Sequence, residues 1–474
     1  MKKLDRILLC VVCLVSLLAA SSPAQFPQAP PAAPQTAFGK KQAELELEQS
    51  QRHLEYGLEL RKQGMTVQSA AEIIRAAEMG KGRNYGATQV LSIMRRYDAA
   101  FWKRFGSRPS KGKLEQYDKK ARVMASSEQK ESLELGNWAS THGFEEEGQK
   151  LYVELLLERD EPLVFDSKDQ IVLPAGTIPK KAAAALREAA ITINGNFYVR
   201  DELLAKLPEL KEIFEVSSED LRVRTTTTLE HARDLHAMCS QLLPALALDM
   251  GAMVQKRLAL FVFAKRADYE KTLDALGLGE HKIVTGVATP WPFVAMVCME
   301  AQLPEIARGV CLHEITHLFS YAMTPSVFPC WYSEGYADTF GGTGTFTWDG
   351  VKLGLQGLLD RSRIDALKAE GGTMPLKDML AADQLVQWQR GKQAGLAFYA
   401  QAWAFLRYLR SGAGAEMAAR LDQWEMRCVG QALGYQVGAR RPLARGPASD
   451  LFMEMFGNDL PQLEAGFRVW LNAL

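Results

Sequence analysis

His313 and His317 stand four positions apart with Glu314 beside the first, in the run His313-Glu314-Ile315-Thr316-His317. On a helix, residues four apart lie one turn apart on the same face, so two imidazoles can reach one metal ion. Glu314 is then close enough to act as a base on a water that the ion polarises. A second pair follows, with Glu334 placed 17 positions after His317 and Asp338 one helical turn further on, in Trp331-Tyr332-Ser333-Glu334-Gly335-Tyr336-Ala337-Asp338. A catalytic zinc commonly takes three protein ligands and keeps a fourth position for water. Glu334 can be the third ligand beside the two histidines, and an active site of this kind predicts one zinc per chain; the alternative is two ordinary surface or core histidines. Asp338 is placed to orient a ligating imidazole from behind; the alternative for it is an ordinary helix-surface carboxylate.

These residues resemble the gluzincins, the thermolysin-like and aminopeptidase-like zinc peptidases. Those enzymes follow H-E-x-x-H with a glutamate on a later helix, often as E-x-x-x-D or E-G-x-A. Within that group the chain is similar to exported bacterial members with a helical region ahead of the peptidase domain, and the likeness spans residues 214–410. The resemblance implies a zincin-like catalytic domain, zinc on His313, His317 and Glu334, Glu314 as catalytic base, and a peptide or protein substrate. The metzincin branch is disfavoured, because its extended motif needs Gly and His where this chain has Ser320 and Met323. Two features of the group are missing. No G-x-M-E-N motif precedes the active helix, Cys298-Met299-Glu300-Ala301 being a poor echo, and no thermolysin-type histidine motif follows it. Stabilisation of the developing oxyanion thus needs another donor. Related enzymes place a tyrosine on a downstream helix for this, and Tyr399, in Phe398-Tyr399-Ala400-Gln401-Ala402-Trp403, is the candidate. A phenol aimed at that oxygen supplies a few kcal/mol. A packed core tyrosine is the alternative, and Gln401 and Tyr336 have weaker claims.

The elements that must carry these groups can be read outward from them. Pro304 suits the first turn of a helix, and Ala307, Cys311, Ile315, Leu318 and Ala322 form its apolar stripe, leaving His313 and His317 off it. Ahead of it come strand signals around a Ser217-Ser218-Glu219-Asp220 turn, a helix over residues 229–250, and a continuous apolar run at 257–264 that reads as a strand buried on both faces. Further strands are predicted at 282–288 and 293–299, the latter as the edge strand that pairs with a substrate backbone, or as a plain sheet edge. Everything after Pro304 reads as mainly helical. Strands followed by a helical half give an α+β fold: a zincin-like domain with a small mixed sheet and active-site helices, preceded by a mainly helical region and followed by helices. The boundaries predicted are a signal peptide at 1–24, a Pro/Ala-rich linker at 25–39, helices at 40–161, a mixed segment at 162–213, the peptidase domain at 214–410 and a C-terminal helical segment at 411–474. Within the helical region Leu47, Leu54 and Leu58 mark one helix, and Thr66 is the expected N-cap of the next.

Lys2, Lys3 and Arg6, the apolar residues 7–20 and then Ser22-Pro23-Ala24 have the three-part build of a secretory signal. An exported protein, secreted or periplasmic, is expected, with no membrane span after signal removal; an uncleaved anchor is the alternative. The balance of 56 basic and 56 acidic side chains argues against nucleic acid as a partner. Beyond the signal stand Cys239, Cys298, Cys311, Cys330 and Cys428, with no C-x-x-C pair, so a thiolate zinc site is not indicated; bridges or buried thiols both remain open. No cysteine lies between residues 25 and 238, so no upstream thiol can plug a zinc site. The helical region is a candidate for binding a protein partner, covering the cleft or supporting folding. A reading from another class follows: a binding or scaffold protein using that region, with a vestigial zincin domain.

Overall fold

The computed structural model describes residues 36–95, 109–159, 162–193, 196–199, 213–251, 254, 256–290, 293–300, 302–323, 328–357, 361–368, 372–435 and 446–474. The signal and most of the linker readings, residues 1–35, lie outside these. The chain is a mixed α+β fold, mainly helical with a small mixed sheet. Among the described residues no helix is long and apolar enough to cross a membrane.

Among the described residues five helices come first: α1 (Ala37–Lys62), α2 (Thr66–Gly80), α3 (Tyr85–Arg95), α4 (Lys111–Thr141) and α5 (Glu145–Arg159). The Thr36 hydroxyl accepts the Gly39 amide and caps α1, three residues ahead of the expected start at residue 40. The expected cap at Thr66 is corrected: Thr66 is already inside α2, and Met65 holds the cap position without a side-chain bond. The mixed segment is two hairpins around a helix that the sequence reading did not separate: β1 (Ile171–Leu173) with β2 (Gly176–Ile178), α6 (Lys180–Ala189), then β3 (Ile191–Ile193) with β4 (Asn196–Tyr198).

The sheet that positions the site is built from β5 (Phe214–Ser217), β6 (Leu221–Thr225), β7 (Leu258–Phe263), β8 (Gly286–Pro290) and β9 (Phe293–Cys298), with α7 (Leu229–Met250) and α8 (Arg266–Ala275) between them. Its order is β5-β6-β7-β9-β8. The central pairs β6/β7 and β7/β9 are parallel, and both outer pairs are antiparallel. β7 is buried on both faces as its unbroken apolar run requires: Leu258, Leu260 and Val262 join the main core, while Phe261 and Phe263 pack with Tyr269 and Leu273 of α8. The expected edge strand is corrected here. β9 lies inside the sheet, and the edge is β8. Residues 294–298 are all buried, as an interior strand's must be, whereas β8 alternates between half-buried and buried and ends in Pro290, which suits an edge.

The rest is helical apart from one hairpin: α9 (Pro304–Met323), α10 (Cys330–Gly341), β10 (Phe346–Trp348) with β11 (Leu353–Leu355), α11 (Arg361–Lys368), α12 (Leu376–Ala381), α13 (Gln384–Gln389), α14 (Lys392–Arg407), α15 (Ala415–Tyr435), α16 (Gly446–Phe456) and α17 (Leu460–Ala473). α9 packs on β7, β8 and β9, with Cys311, Leu312, Ile315, Leu318 and Phe319 in the main core. The N-terminal helices dock away from β8. Arg122 of α4 pairs with Glu219 (2.6 Å) and Asp220 at the β5–β6 turn, on the opposite edge of the sheet. Gln68 of α2 donates to the Gly251 carbonyl at 2.7 Å, and α2 and α3 pack on α15. Cys239, Cys298, Cys311, Cys330 and Cys428 are all buried, and no disulfide is formed among the described residues.

Candidate metal centre

α9 and α10 cross at backbone contact. A Cβ on Gly341 would collide with the Gly309 carbonyl oxygen and the His313 backbone, so only glycine lets the C-terminal turn of α10 lie this close to α9. That crossing brings the second motif onto the first. His313 Nε2 is 3.0 Å from His317 Nε2 and 3.2 Å from Glu334 Oε2, and His317 Nε2 is 3.4 Å from the same oxygen. All three residues are buried, in a site without cysteine ligands. An ion held at 2.0–2.1 Å by tetrahedral ligands needs those ligands about 3.3 Å apart. The observed triangle has that size.

The hydrogen bonds behind the ligands set their direction. Asp338 Oδ1 lies 3.0 Å from His313 Nδ1. An ionised carboxylate only accepts, so Nδ1 carries the hydrogen. Ser333 Oγ lies 3.1 Å from His317 Nδ1 and holds the second imidazole in place, although a hydroxyl, which both donates and accepts, selects no tautomer by itself. With both rings neutral and protonated on Nδ1, two bare nitrogens and a carboxylate oxygen face one another, an arrangement that repels unless a cation or a proton sits between them. Electrostatics say the same. Burial pulls His313 toward its neutral form, but hydrogen bonds to the Asp338 and Glu334 carboxylates outweigh it and hold its pKa well above the usual imidazole value. Burial works against the Glu334 charge too, yet the His317 and His313 imidazoles keep its carboxyl far below the ordinary range. The centre is built for positive charge.

Glu314 is buried on the wall facing β8. Burial raises its pKa above the usual glutamate value, opposed by His313 and His317 and by a backbone contact from Ala288. Gly286 is what leaves it room: a Cβ there would stand 2.5 Å from Glu314 Oε1 and from Val310 Cγ1. Edge strand and candidate base are therefore in contact, with β8 in the place that was expected of residues 293–299.

Tyr399 of α14 stands over the centre, its ring centroid 5.8 Å from that of His313, with Trp388 of α13 edge-on at 5.9 Å. Burial and the nearby Glu334 push its pKa well above the usual phenol value, so it keeps its hydrogen and has one to donate. The two weaker candidates are engaged elsewhere. The Gln401 amide is bound at both ends to the Met374 backbone, at 2.9 and 2.7 Å. Tyr336 points to the far side of α10, parallel to Tyr332 with ring centroids 5.9 Å apart.

Asp338 is not a surface carboxylate. It is buried, and while burial penalises its charge, the Arg363 guanidinium and the His313 bond hold its pKa below the usual range. Arg363 of α11 donates to Asp338 Oδ2 at 2.9 Å, making a chain from Arg363 through Asp338 to His313. Sequence reading missed Arg363, Ser333, Gly286 and Trp388. Ser333 had a signal, since it directly precedes Glu334; Arg363 lies in a charged stretch with no pattern. The chain matches no protein-family model and no curated protein.

Proposed function

We propose that this chain is an exported, gluzincin-type zinc peptidase that hydrolyses peptide bonds in a zincin-like domain. The observation that carries the reading is the triangle of His313, His317 and Glu334, of the size a tetrahedral zinc needs, with Glu314 beside it and against an edge strand. The donor set fits zinc: two imidazoles and one carboxylate, with no fourth His, Cys, Asp or Glu grouped with them among the described residues.

Zinc bound there would polarise the substrate carbonyl and lower the pKa of a water toward about 7. The chain's own groups do the rest. The outer edge of β8 pairs with an extended peptide and lays the scissile bond beside Glu314. Glu314, buried beside the centre, accepts a proton from the attacking water and hands it to the leaving amine. The Tyr399 hydroxyl donates to the carbonyl oxygen as charge develops on it. Asp338 holds His313 in the tautomer that presents Nε2, and Ser333 steadies the His317 ring.

The test uses the purified chain without its signal, a mixed peptide library and a strong chelator. The expected result is one zinc per chain, hydrolysis that chelation removes, and a Glu314→Gln variant that keeps zinc but loses roughly 10²-fold or more in rate. Hydrolysis indifferent to the chelator refutes the metal reading, and undiminished hydrolysis by zinc-loaded Glu314→Gln refutes the base. A chain that binds zinc and cleaves nothing favours the scaffold reading.

A further inference from the structure

α10 has two working faces. Glu334 and Asp338 point at the metal centre, while Tyr332, about 200° around the helix from Glu334, points the other way. Its hydroxyl donates at 2.7 Å to Glu425 Oε1 of α15, and both residues are fully buried. Arg410 reaches the same Glu425 oxygen at 3.1 Å and Asp249 of α7 at 3.1 Å, and its guanidinium lies 5.3 Å from the Tyr336 ring centre. Trp424, the neighbour of Glu425, packs edge-on against Tyr332 with ring centroids 5.0 Å apart.

A buried carboxylate is an expensive way to pack two helices. An apolar side chain of similar volume usually stabilises as well or better, so a buried ion pair is better explained by the geometry it imposes. The geometry matters here. With side chains included, a helix has a radius of 5–6 Å, so a 10° rotation of α10 about its axis carries the Glu334 carboxylate by about 1 Å. Metal–ligand distances tolerate about 0.2 Å. Apolar contacts on the far face would permit such a rotation; a directed hydrogen bond to a charged, twice-anchored acceptor resists it. α15 itself is braced from outside by α2 and α3.

We infer that Tyr332, Glu425 and Arg410 are positioning residues for the metal centre, a polar lock that fixes the rotation of α10 and so the direction of Glu334 and Asp338. This rests on the metal reading above. The test measures zinc affinity by competition with a chromogenic chelator, and the thermal unfolding of the metal-stripped protein, for the purified chain and its variants. Tyr332→Phe, which loses one hydroxyl, is expected to weaken zinc binding about tenfold while the stripped protein unfolds near the wild-type temperature. Glu425→Gln, whose amide oxygen still accepts the hydroxyl, is expected to keep affinity closer to wild type than Tyr332→Phe does. A Tyr332→Phe chain that melts earlier but binds zinc as tightly as wild type overturns the lock and leaves the metal reading standing. Failure of the wild type itself to take up zinc overturns the metal reading and this inference with it. Should Tyr332→Phe not fold, Arg410→Lys takes its place: it keeps a cation beside Glu425 without the fork that spans two carboxylates, and unchanged zinc affinity in it overturns the lock.

Discussion

Gly286→Ala is the sharpest single probe of how the edge strand and Glu314 cooperate. The added methyl carbon would lie 2.5 Å from Glu314 Oε1 and 2.5 Å from Val310 Cγ1, with Glu314 Cγ at 2.9 Å. Carbon contacts are comfortable near 3.5 Å, so either the Glu314 carboxylate or β8 has to withdraw by about 1 Å. The backbone of β8 is ordinary extended chain, so nothing but this contact opposes alanine. Overpacking of this kind costs about 1–3 kcal/mol of stability, which a domain of this size survives. The methyl's three nearest neighbours belong to Glu314 and Val310, not to His313, His317 or Glu334, and zinc content is therefore expected to stay at one per chain. Catalysis is expected to suffer far more: a base misplaced by about 1 Å loses on the order of 10²-fold in rate. The assay is hydrolysis of the peptide library by zinc-loaded Gly286→Ala, with metal content measured on the same sample. Wild-type rate at full zinc content would refute the reasoning, because neither Glu314 nor the edge strand could then stand where catalysis needs them.

Two further perturbations follow from the hydrogen-bond chains. Asp338→Asn removes the charge between His313 and Arg363 and is expected to weaken zinc binding about 10- to 100-fold in chelator competition; unchanged affinity refutes its orienting part. In the N-terminal helices, His53 is buried with Nδ1 2.5 Å from Glu72 and Nε2 2.7 Å from Glu128, and Tyr117 also donates to Glu72 at 2.8 Å. Burial alone would lower the His53 pKa, but bonds to the Glu128 and Glu72 carboxylates raise it above 6.5. The stabilisation from the charged imidazole is thus complete below 6.5 and is lost as pH rises through the raised value. Wild type is expected to melt at lower temperature on going from mildly acidic to alkaline buffer, and His53→Gln to show a flatter profile; equal slopes refute it.

Much of the site was legible because its chemistry is local. His313, Glu314 and His317 sit on one helix, and helical spacing alone puts the two imidazoles together; Glu334 and Asp338 declare themselves by the same spacing. β7 was legible because a strand buried on both faces has to be apolar throughout. What stayed hidden depends on how distant elements meet. The choice of β8 rather than β9 as edge follows from strand order, although Gly286 and Pro290 set against Val294-Ala295-Met296-Val297 carry a trace of it in composition. Arg363 reaches Asp338 from another helix, and Glu425 is an acidic residue on an amphipathic helix that looks solvated until α10 covers it. The Gly309–Gly341 crossing leaves no periodic mark either, since a close approach needs glycine at just one point on each helix.

That crossing governs how the ion would arrive. With the main chains of α9 and α10 in direct contact, the donor triangle is assembled by the packing of the apoprotein, so loading asks for no refolding, unlike small zinc modules that are unfolded until metal binds. Uptake should therefore be limited by proton release from His313 and by shedding of the ion's hydration water. Stripping and reloading should be reversible without hysteresis, and acid should empty the centre before it unfolds the chain.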